Sequence, residues 1–410
     1  MRIGVIGLGT AGITFISEIR RLKVPCEIFL FEKRGLSVFH PCSIPEAIEG
    51  KIKTEQLIEP FGTYQIKFIG EAKHVDPYKL SVSYEKNGTM DQIEFDFLFI
   101  ATGGEIKIPY QSPKIFKATK YEDVLNIKNN IPYSKRIGIV GAGILGLELA
   151  SALCNYPIEI EVFEAKDQIL PDLLEKNLAE KLMQKISLKN IKFHFGKFIN
   201  EPPDLDLLIF CTGFKPVSPM NFEIRVDDFM RVIDVSNQKP FERIFAAGDC
   251  ISYDIKIPRV APIAAEQARV SARNIKKILE GKEPDEKYEL IIPPVLIKAF
   301  GYEIGKTARI HKPQNIQKLS VEMKVLPFDD RKLSIFTEVD NSGLIQEIQA
   351  FCELRSEVRH LLDISYISMK KKISLSEIRR FELSYQPEVC KFPDPITSFA
   401  EFITRRLNIL

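Results

Sequence analysis

Two short glycine-rich stretches are the residues whose spacing most plainly carries chemistry. Gly7-Leu8-Gly9-Thr10-Ala11-Gly12 follows the apolar, β-branched run Arg2–Ile6 and precedes apolar residues at helical spacing, Ile13, Ile16, Ile19 and Leu22. Glycines at its first, third and sixth positions let backbone approach a pyrophosphate without a Cβ in the way, and the following helix offers that anion its N–H groups. The next apolar strand, Glu27–Phe31, leads to Glu32, twenty residues after Gly12, where a carboxylate can accept hydrogen bonds from a ribose diol. The pattern returns: Arg136–Val140 leads into Gly141-Ala142-Gly143-Ile144-Leu145-Gly146, a helix through Leu153, and a strand over 159–163 ending on Glu164. One such turn is a weak signal. Two, 134 positions apart and each complete with strand, helix and acid, predict two dinucleotide sites. A carboxylate at Glu164 repels a 2′-phosphate, which favours NADH over NADPH, with Lys166 near enough to soften the preference.

The third chemical candidate is Cys42, ten residues beyond Glu32 in Pro41-Cys42-Ser43-Ile44-Pro45. From its type alone it is either a small buried hydrophobe or, with its pKa lowered at a helix start, a nucleophile. A lone reactive thiol cycles through a sulfenate, a persulfide or a mixed disulfide. The other six cysteines, at 26, 154, 211, 250, 352 and 390, show neither a paired disulfide framework nor zinc spacing, so no metal is expected and a reducing cytoplasm fits. With 57 basic and 55 acidic residues and no long run of one sign, a nucleic-acid partner is not expected. The chain opens on a strand without a charged and apolar leader and has no stretch of eighteen apolar residues, so neither a signal peptide nor a membrane span is expected.

The elements that must hold these residues follow from periodicity. Between the glycine turns, strands are predicted over 80–84 and 93–100, separated by an Asn87-Gly88 turn and closing on Ala101-Thr102-Gly103-Gly104. After the second turn, a strand over 205–210 runs into Cys211-Thr212-Gly213, and one over 243–246 delivers Ala247-Gly248-Asp249 before a helix over 264–279. Beyond Pro284 the pattern changes to short strands (295–300, 333–339) and then two helices. The predicted fold is α/β: two Rossmann-like dinucleotide-binding domains plus a C-terminal α+β domain. The predicted boundaries are 1–109 with 237–284 for the first domain, 110–236 for the second and 285–410 for the third.

The order of motifs resembles the pyridine nucleotide-disulfide oxidoreductases over nearly the whole chain. An early Gly-x-Gly-x-x-Gly, an Ala-Thr-Gly strand end, a second Gly-x-Gly-x-x-Gly-x-Glu, a Thr-Gly echo and a late Ala-Gly-Asp occur there in this order. The resemblance implies a glutathione-reductase-type fold binding FAD on the first turn (Gly7, Gly9, Gly12, Glu32, with Lys33) and NAD(P)H on the second (Gly141, Gly143, Gly146, Glu148, Glu164). It further implies Thr102 and Gly103 at the FAD crossover, Gly213 in the second Thr-Gly end, Asp249 at the ribityl and phosphate region, and Ala264 on a helix start facing the flavin. With no second cysteine near it, Cys42 is similar to the single cysteine of NADH oxidases, NADH peroxidases and coenzyme A-disulfide reductases. Phe381-Glu382-Leu383-Ser384-Tyr385-Gln386-Pro387, followed by Asp394-Pro395, is similar to that family's dimerisation segment. A homodimer is implied, in which Tyr385 reaches the partner's cysteine; a half-buried interface tyrosine is the alternative.

The chain departs from the family in several places. Thr10 stands where oxidases and peroxidases usually carry a histidine, which turns the reading toward coenzyme A-disulfide and sulfur reduction; Ile144 replaces a frequent tyrosine over the flavin. Residues 198–204 are short for the usual nicotinamide domain, Glu388 replaces a proline, and Ser43 and Glu46 flank the cysteine where the family tends to have Gly and Tyr. The expected activity is hydride transfer from NADH, less favourably NADPH, through FAD to Cys42, which reduces a small disulfide, persulfide or polysulfide. Coenzyme A-disulfide or a CoA-persulfide is the favoured substrate, and coenzyme A is a candidate ligand. The alternatives are an NADH oxidase reducing oxygen to peroxide or water, and a redox-sensing flavoprotein with weak turnover.

Overall fold

Residues Ile3 to Ile6 are buried on both strand faces, as in a strand covered by layers on either side. Arg2–Ile6 pairs in parallel with Glu27–Phe31 and with Phe97–Ile100. These are the centre of a six-stranded sheet whose order is Arg231–Ile233, Pro240–Ala246, Phe97–Ile100, Arg2–Ile6, Glu27–Phe31 and Ile66–Gly70, with Arg231–Ile233 alone antiparallel. Helices Thr10–Arg21 and Ala261–Leu279 pack against one face, where Phe15 stacks on Phe99 with ring centroids 3.9 Å apart. Against the other lies an antiparallel meander of Ala72–Asp76, Ser81–Lys86 and Thr89–Glu94, with Phe29, Phe31 and Phe95 between the layers.

The structure is a computed structural model that describes residues 1–410 apart from 63–65, 87, 111, 187–189, 290, 327–329, 354–355, 386–391 and 409–410. The chain forms two units: Met1–Ile108, Thr119–Leu125 and Gly213–Glu289 in the first, Pro109–Ala118, Asn126–Thr212 and Leu290–Leu410 in the second. One half of the second unit repeats the parallel architecture in the order Ile115–Lys117, Leu207–Phe210, Arg136–Val140, Glu159–Glu164, Ile191–Phe195. Its remainder is a five-stranded antiparallel sheet, Ile291–Ala299, Tyr302–Arg309, Ile345–Glu353, Lys332–Asp340 and Ile316–Lys324 in spatial order. Helices Glu357–Lys371, Leu375–Ile378 and Pro395–Leu407 cover that sheet around Leu361, Leu362, Phe399 and Ile403. The fold is therefore two Rossmann-like parallel-sheet domains with a C-terminal α+β domain.

Two differences from the sequence-based expectations have a physical cause. The apolar run expected as one strand over 93–100 is two, because Thr89–Glu94 pairs antiparallel in the meander while Phe97–Ile100 joins the parallel sheet. The break is fixed by the Phe95 N–H on the Leu80 carbonyl (2.9 Å) and by the Asp96 carboxylate accepting the Arg2 N–H (2.7 Å). The chain also returns to the first unit at Gly213, earlier than the expected 237. Residue 237 lies in the turn of the hairpin formed by Arg231–Ile233 and Pro240–Ala246, so a boundary there would separate paired strands of one sheet.

Candidate functional site

The first glycine turn divides its tasks among its glycines. Gly7 has φ +101°, and a Cβ on it would overlap the Ala101 carbonyl oxygen; a Cβ on Gly12 would overlap the carbonyl oxygen of Gly7. These two make the close strand–turn–helix packing possible. Gly9 has ordinary backbone (φ −83°) and nothing within 4 Å of where a Cβ would lie, so it leaves open space above the turn. The helix behind it has no side-chain cap and no acid in its first turn, leaving its N–H groups to an anionic ligand.

The strand-end acid is tied to this turn. Glu32, 6% exposed, accepts the Leu8 N–H at 2.8 Å on one carboxylate oxygen and the Arg34 N–H at 3.0 Å on the other. The Arg34 guanidinium bonds both oxygens, at 3.0 and 3.2 Å. Burial pushes the Glu32 carboxyl up, but Arg34 and the two backbone N–H groups more than offset it and hold the group below the usual carboxylate range. Lys33 is exposed. Arg34, which spacing did not single out for this role, is the basic residue that reaches the acid.

Around the same turn, the first unit gathers three further motifs. Gly248 (φ +83°) backs onto Ala11 and Ala264, whose Cβ atoms would be 3.5 and 3.3 Å from a Cβ placed on it. Asp249 stands beside Gly104, and the Thr102 hydroxyl donates to the Val217 carbonyl while the Val217 N–H donates to Gly103 at 3.0 Å. Gly103 (φ +71°) and Gly213 both face open space, and Gly213 falls in the first unit. Burial raises the Asp249 carboxyl, and Arg259 opposes this without offsetting it. Behind Asp249 lies a network that sequence reasoning missed: buried Gln267 accepts the Gly248 N–H at 2.8 Å and donates to the Tyr253 hydroxyl at 2.6 Å. A polar residue at a core position of the helix Ala261–Leu279 was its available signal.

Cys42 lies on a single helical turn, Pro41–Ser43, leading into Ile44–Glu49, whose Ile44, Ala47 and Ile48 are fully buried and anchor the segment. It is the one exposed cysteine among the described residues, which removes the buried-hydrophobe alternative. Burial pushes the Cys250 thiol up to about 11, that of Cys352 to about 12 and that of Cys211 higher still. Cys390 lies outside the described residues, as do Asn87, Gln386, Pro387 and Glu388. Tyr385 is 55% exposed, its ring set edge-on to Phe392 with centroids 5.5 Å apart.

The second turn copies the first. Gly141 has φ +103°, Cβ atoms on Gly141 and Gly146 would press on the Cys211 and Gly141 carbonyls, and Gly143 faces open space. Glu164 accepts the Ala142 N–H at 2.7 Å and the Lys166 N–H at 2.9 Å, as Glu32 accepts those of Leu8 and Arg34. The Lys166 ammonium, however, turns to Asp172 at 2.6 Å. Glu148 and Ile144 are half-buried on the helix that starts here, Ile144–Leu153.

Uncapped helix starts, open space over Gly9 and Gly143, and an acid tied to each turn suit a dinucleotide at each site, which defines a two-dinucleotide oxidoreductase. The chain belongs to the pyridine nucleotide-disulphide oxidoreductase family, whose model matches residues 1–268, and it is an enzyme of that FAD- and pyridine-nucleotide-dependent class. It is similar to an NADH oxidase of Methanocaldococcus jannaschii, 24% identical with all of both chains covered. It is also similar to the CoA-dependent NAD(P)H sulfur oxidoreductase of Pyrococcus furiosus, 22% identical over 98% of this chain and 99% of the relative. Among solved structures it resembles an NAD-dependent persulfide reductase from A. fulgidus, with a TM-score of 0.84 and 20% identity, covering 99% of this chain and 84% of the other. Among the described residues no helix is long and apolar enough to cross a membrane.

Proposed function

We propose that the protein is a reductase of small disulfides, persulfides or polysulfides, with Cys42 as the sulfur nucleophile and coenzyme A-disulfide or a CoA-persulfide as the favoured substrate. The observation that carries this is the exposed Cys42, presented by a short, anchored turn in the same unit as the first glycine turn and Asp249. The Cys42 thiolate attacks one sulfur of RSSR, forming a mixed disulfide and expelling RS⁻. Two electrons from NADH then cleave the mixed disulfide, so that NADH, a proton and RSSR give NAD⁺ and two RSH. FAD, when bound, supplies the relay of those electrons between nicotinamide and sulfur. The chain's own residues bind and orient. Gly7, Gly9, Gly12, Glu32, Lys33, Thr102, Gly103, Asp249 and Ala264 hold FAD; Gly141, Gly143, Gly146, Glu148 and Glu164 hold the nicotinamide cofactor, and Gly213 is a further cofactor-binding position.

Glu164 favours NADH over NADPH. We assign residues 285–410 to a dimerisation domain that brings Tyr385 to the partner's sulfur site, supported by the exposed Tyr385–Phe392 pair. A cytoplasmic location accords with a mechanism that needs a reduced thiol. Oxygen reduction is the second reading, favoured by the full-length likeness to a relative called NADH oxidase.

The test is anaerobic turnover of C42S with CoA-disulfide and with polysulfide. Wild type is expected to oxidise NADH with each, and C42S to lose at least about a hundredfold in rate while its flavin absorbance still bleaches with NADH. Undiminished disulfide reduction by C42S removes the cysteine mechanism; oxygen consumption at full rate in C42S, with no disulfide reduction by wild type, makes the protein an oxidase.

A further inference from the structure

The loop after the second ribose acid is built more firmly than holding Glu164 requires. The Leu170 N–H donates to the Ala142 carbonyl at 2.8 Å, which docks the loop on the glycine turn itself. Leu170 takes a left-handed conformation (φ +48°), and its carbonyl accepts the N–H groups of both Leu173 and Leu174 at 2.9 Å. The Gln168 carboxamide closes the loop on the Leu174 carbonyl at 2.9 Å. What this construction presents is Asp172, whose carboxylate holds the Lys166 ammonium at 2.6 Å. Lys166 is the residue whose own N–H is bonded to Glu164 at 2.9 Å, so its side chain starts beside the ribose acid and is drawn to the later aspartate.

A 2′-phosphate on the adenosine ribose differs from a 2′-hydroxyl by two negative charges and needs a cation to replace water. Lys166 is a cation of the right chemistry at the right end of the strand Glu159–Glu164, but it is already engaged, and Asp172 adds a second carboxylate to the one on Glu164. The pair is exposed at both ends, 45% and 60%, so its hold is weak enough for competition with a phosphate to be measurable.

We infer that Asp172 is a specificity-determining residue for the dinucleotide of the second turn: by holding Lys166 it selects a 2′-hydroxyl over a 2′-phosphate. This rests on the reading of that turn as the nicotinamide cofactor site. Asp172 acts through Lys166 and touches no reacting atom, so it is a positioning residue.

The experiment is calorimetric titration of the FAD-loaded protein with NAD⁺ and with NADP⁺, which requires no turnover. In D172N the ratio of the NADP⁺ to the NAD⁺ dissociation constant is expected to fall about fivefold, the scale of one exposed charge pair. In D172E, which keeps the carboxylate, the ratio should stay at the wild-type value, and in the double variant D172N/K166Q the gain should vanish. An unchanged ratio in D172N, or a gain that survives K166Q, overturns the role of Asp172 while leaving the cofactor site standing. Wild type that binds neither dinucleotide overturns the cofactor site itself, and this inference with it.

Discussion

Glu32 and Glu164 are the same solution written twice. In each, one carboxylate oxygen takes the N–H of the second residue of the glycine turn and the other takes the N–H two residues beyond the acid. The first differs in being clamped by an arginine, which makes its charge a stability element. Because the folded Glu32 carboxyl lies below its ordinary value, the stability it contributes is present above that ordinary value and is lost as pH falls through the folded one. E32Q keeps the shape and removes the charge. It should cost on the order of 2 kcal/mol at neutral pH, the scale of hydrogen bonds to a charged group, and the gap to wild type should close in acid. Denaturant melts of both proteins from pH 7 to pH 3 check this, and a gap that does not change with pH would show that the charge is not the source. At this scale the sequence was informative where a position follows from residue type and fixed spacing: Glu32 and Glu164 each lie against their glycine turn, and Cys42 is exposed. The contacts of Arg34, Gln267 and Asp172 were not legible, since each depends on how a loop or helix closes back on a turn.

The glycine turn and its helix illustrate how one motif mixes packing with binding. Gly12 lies where a methyl group would strike the Gly7 carbonyl, whereas Gly9 has room around it and a conformation alanine adopts freely. G12A is therefore expected to fail in folding or lose several kcal/mol, roughly the cost of overpacking and backbone displacement combined. G9A should melt within about 1 kcal/mol of wild-type apoprotein yet retain little FAD, because its methyl group enters the space left for the pyrophosphate. Thermal melts of the apoproteins and the FAD content after desalting separate the two. A G9A protein that keeps a full complement of FAD would falsify the division of tasks. The strand–turn–helix units themselves were legible, because a buried parallel strand, its glycines and its helix are contiguous in sequence. The split of residues 93–100 was not: both halves are apolar, and what divides them is pairing with two different sheets.

Across the whole chain, duplication of the parallel unit is visible in sequence because the motif and its acid recur as a block, whereas the return to the first unit at Gly213 depends on pairing between strands far apart in the chain. The C-terminal sheet shows what the antiparallel region adds. Helices cover it through an apolar layer, while Lys306 and Lys312 compensate the buried Glu347 carboxylate, which burial would otherwise raise and which they hold below its usual range. Such a domain is well filled internally, yet Phe392 is 73% exposed, Tyr385 stands against it, and Ile367 and Phe402 on its helices are also exposed. The exposed Tyr385–Phe392 pair, in a segment that resembles the family's dimerisation segment, fits a surface that a second copy covers. Light scattering should then give the mass of two chains for wild type, and F392D, which places a charge on that surface, should give the mass of one with its FAD retained, since Phe392 belongs to the second unit and the proposed FAD residues to the first. A dimer that survives F392D would move the contact elsewhere on the chain and take from Tyr385 its route to the partner's cysteine. If the dimer is lost and the C42S-sensitive activity is lost with it, the exposed aromatic pair belongs to the working site, and the exposed Cys42 thiol of each chain is completed only by its neighbour.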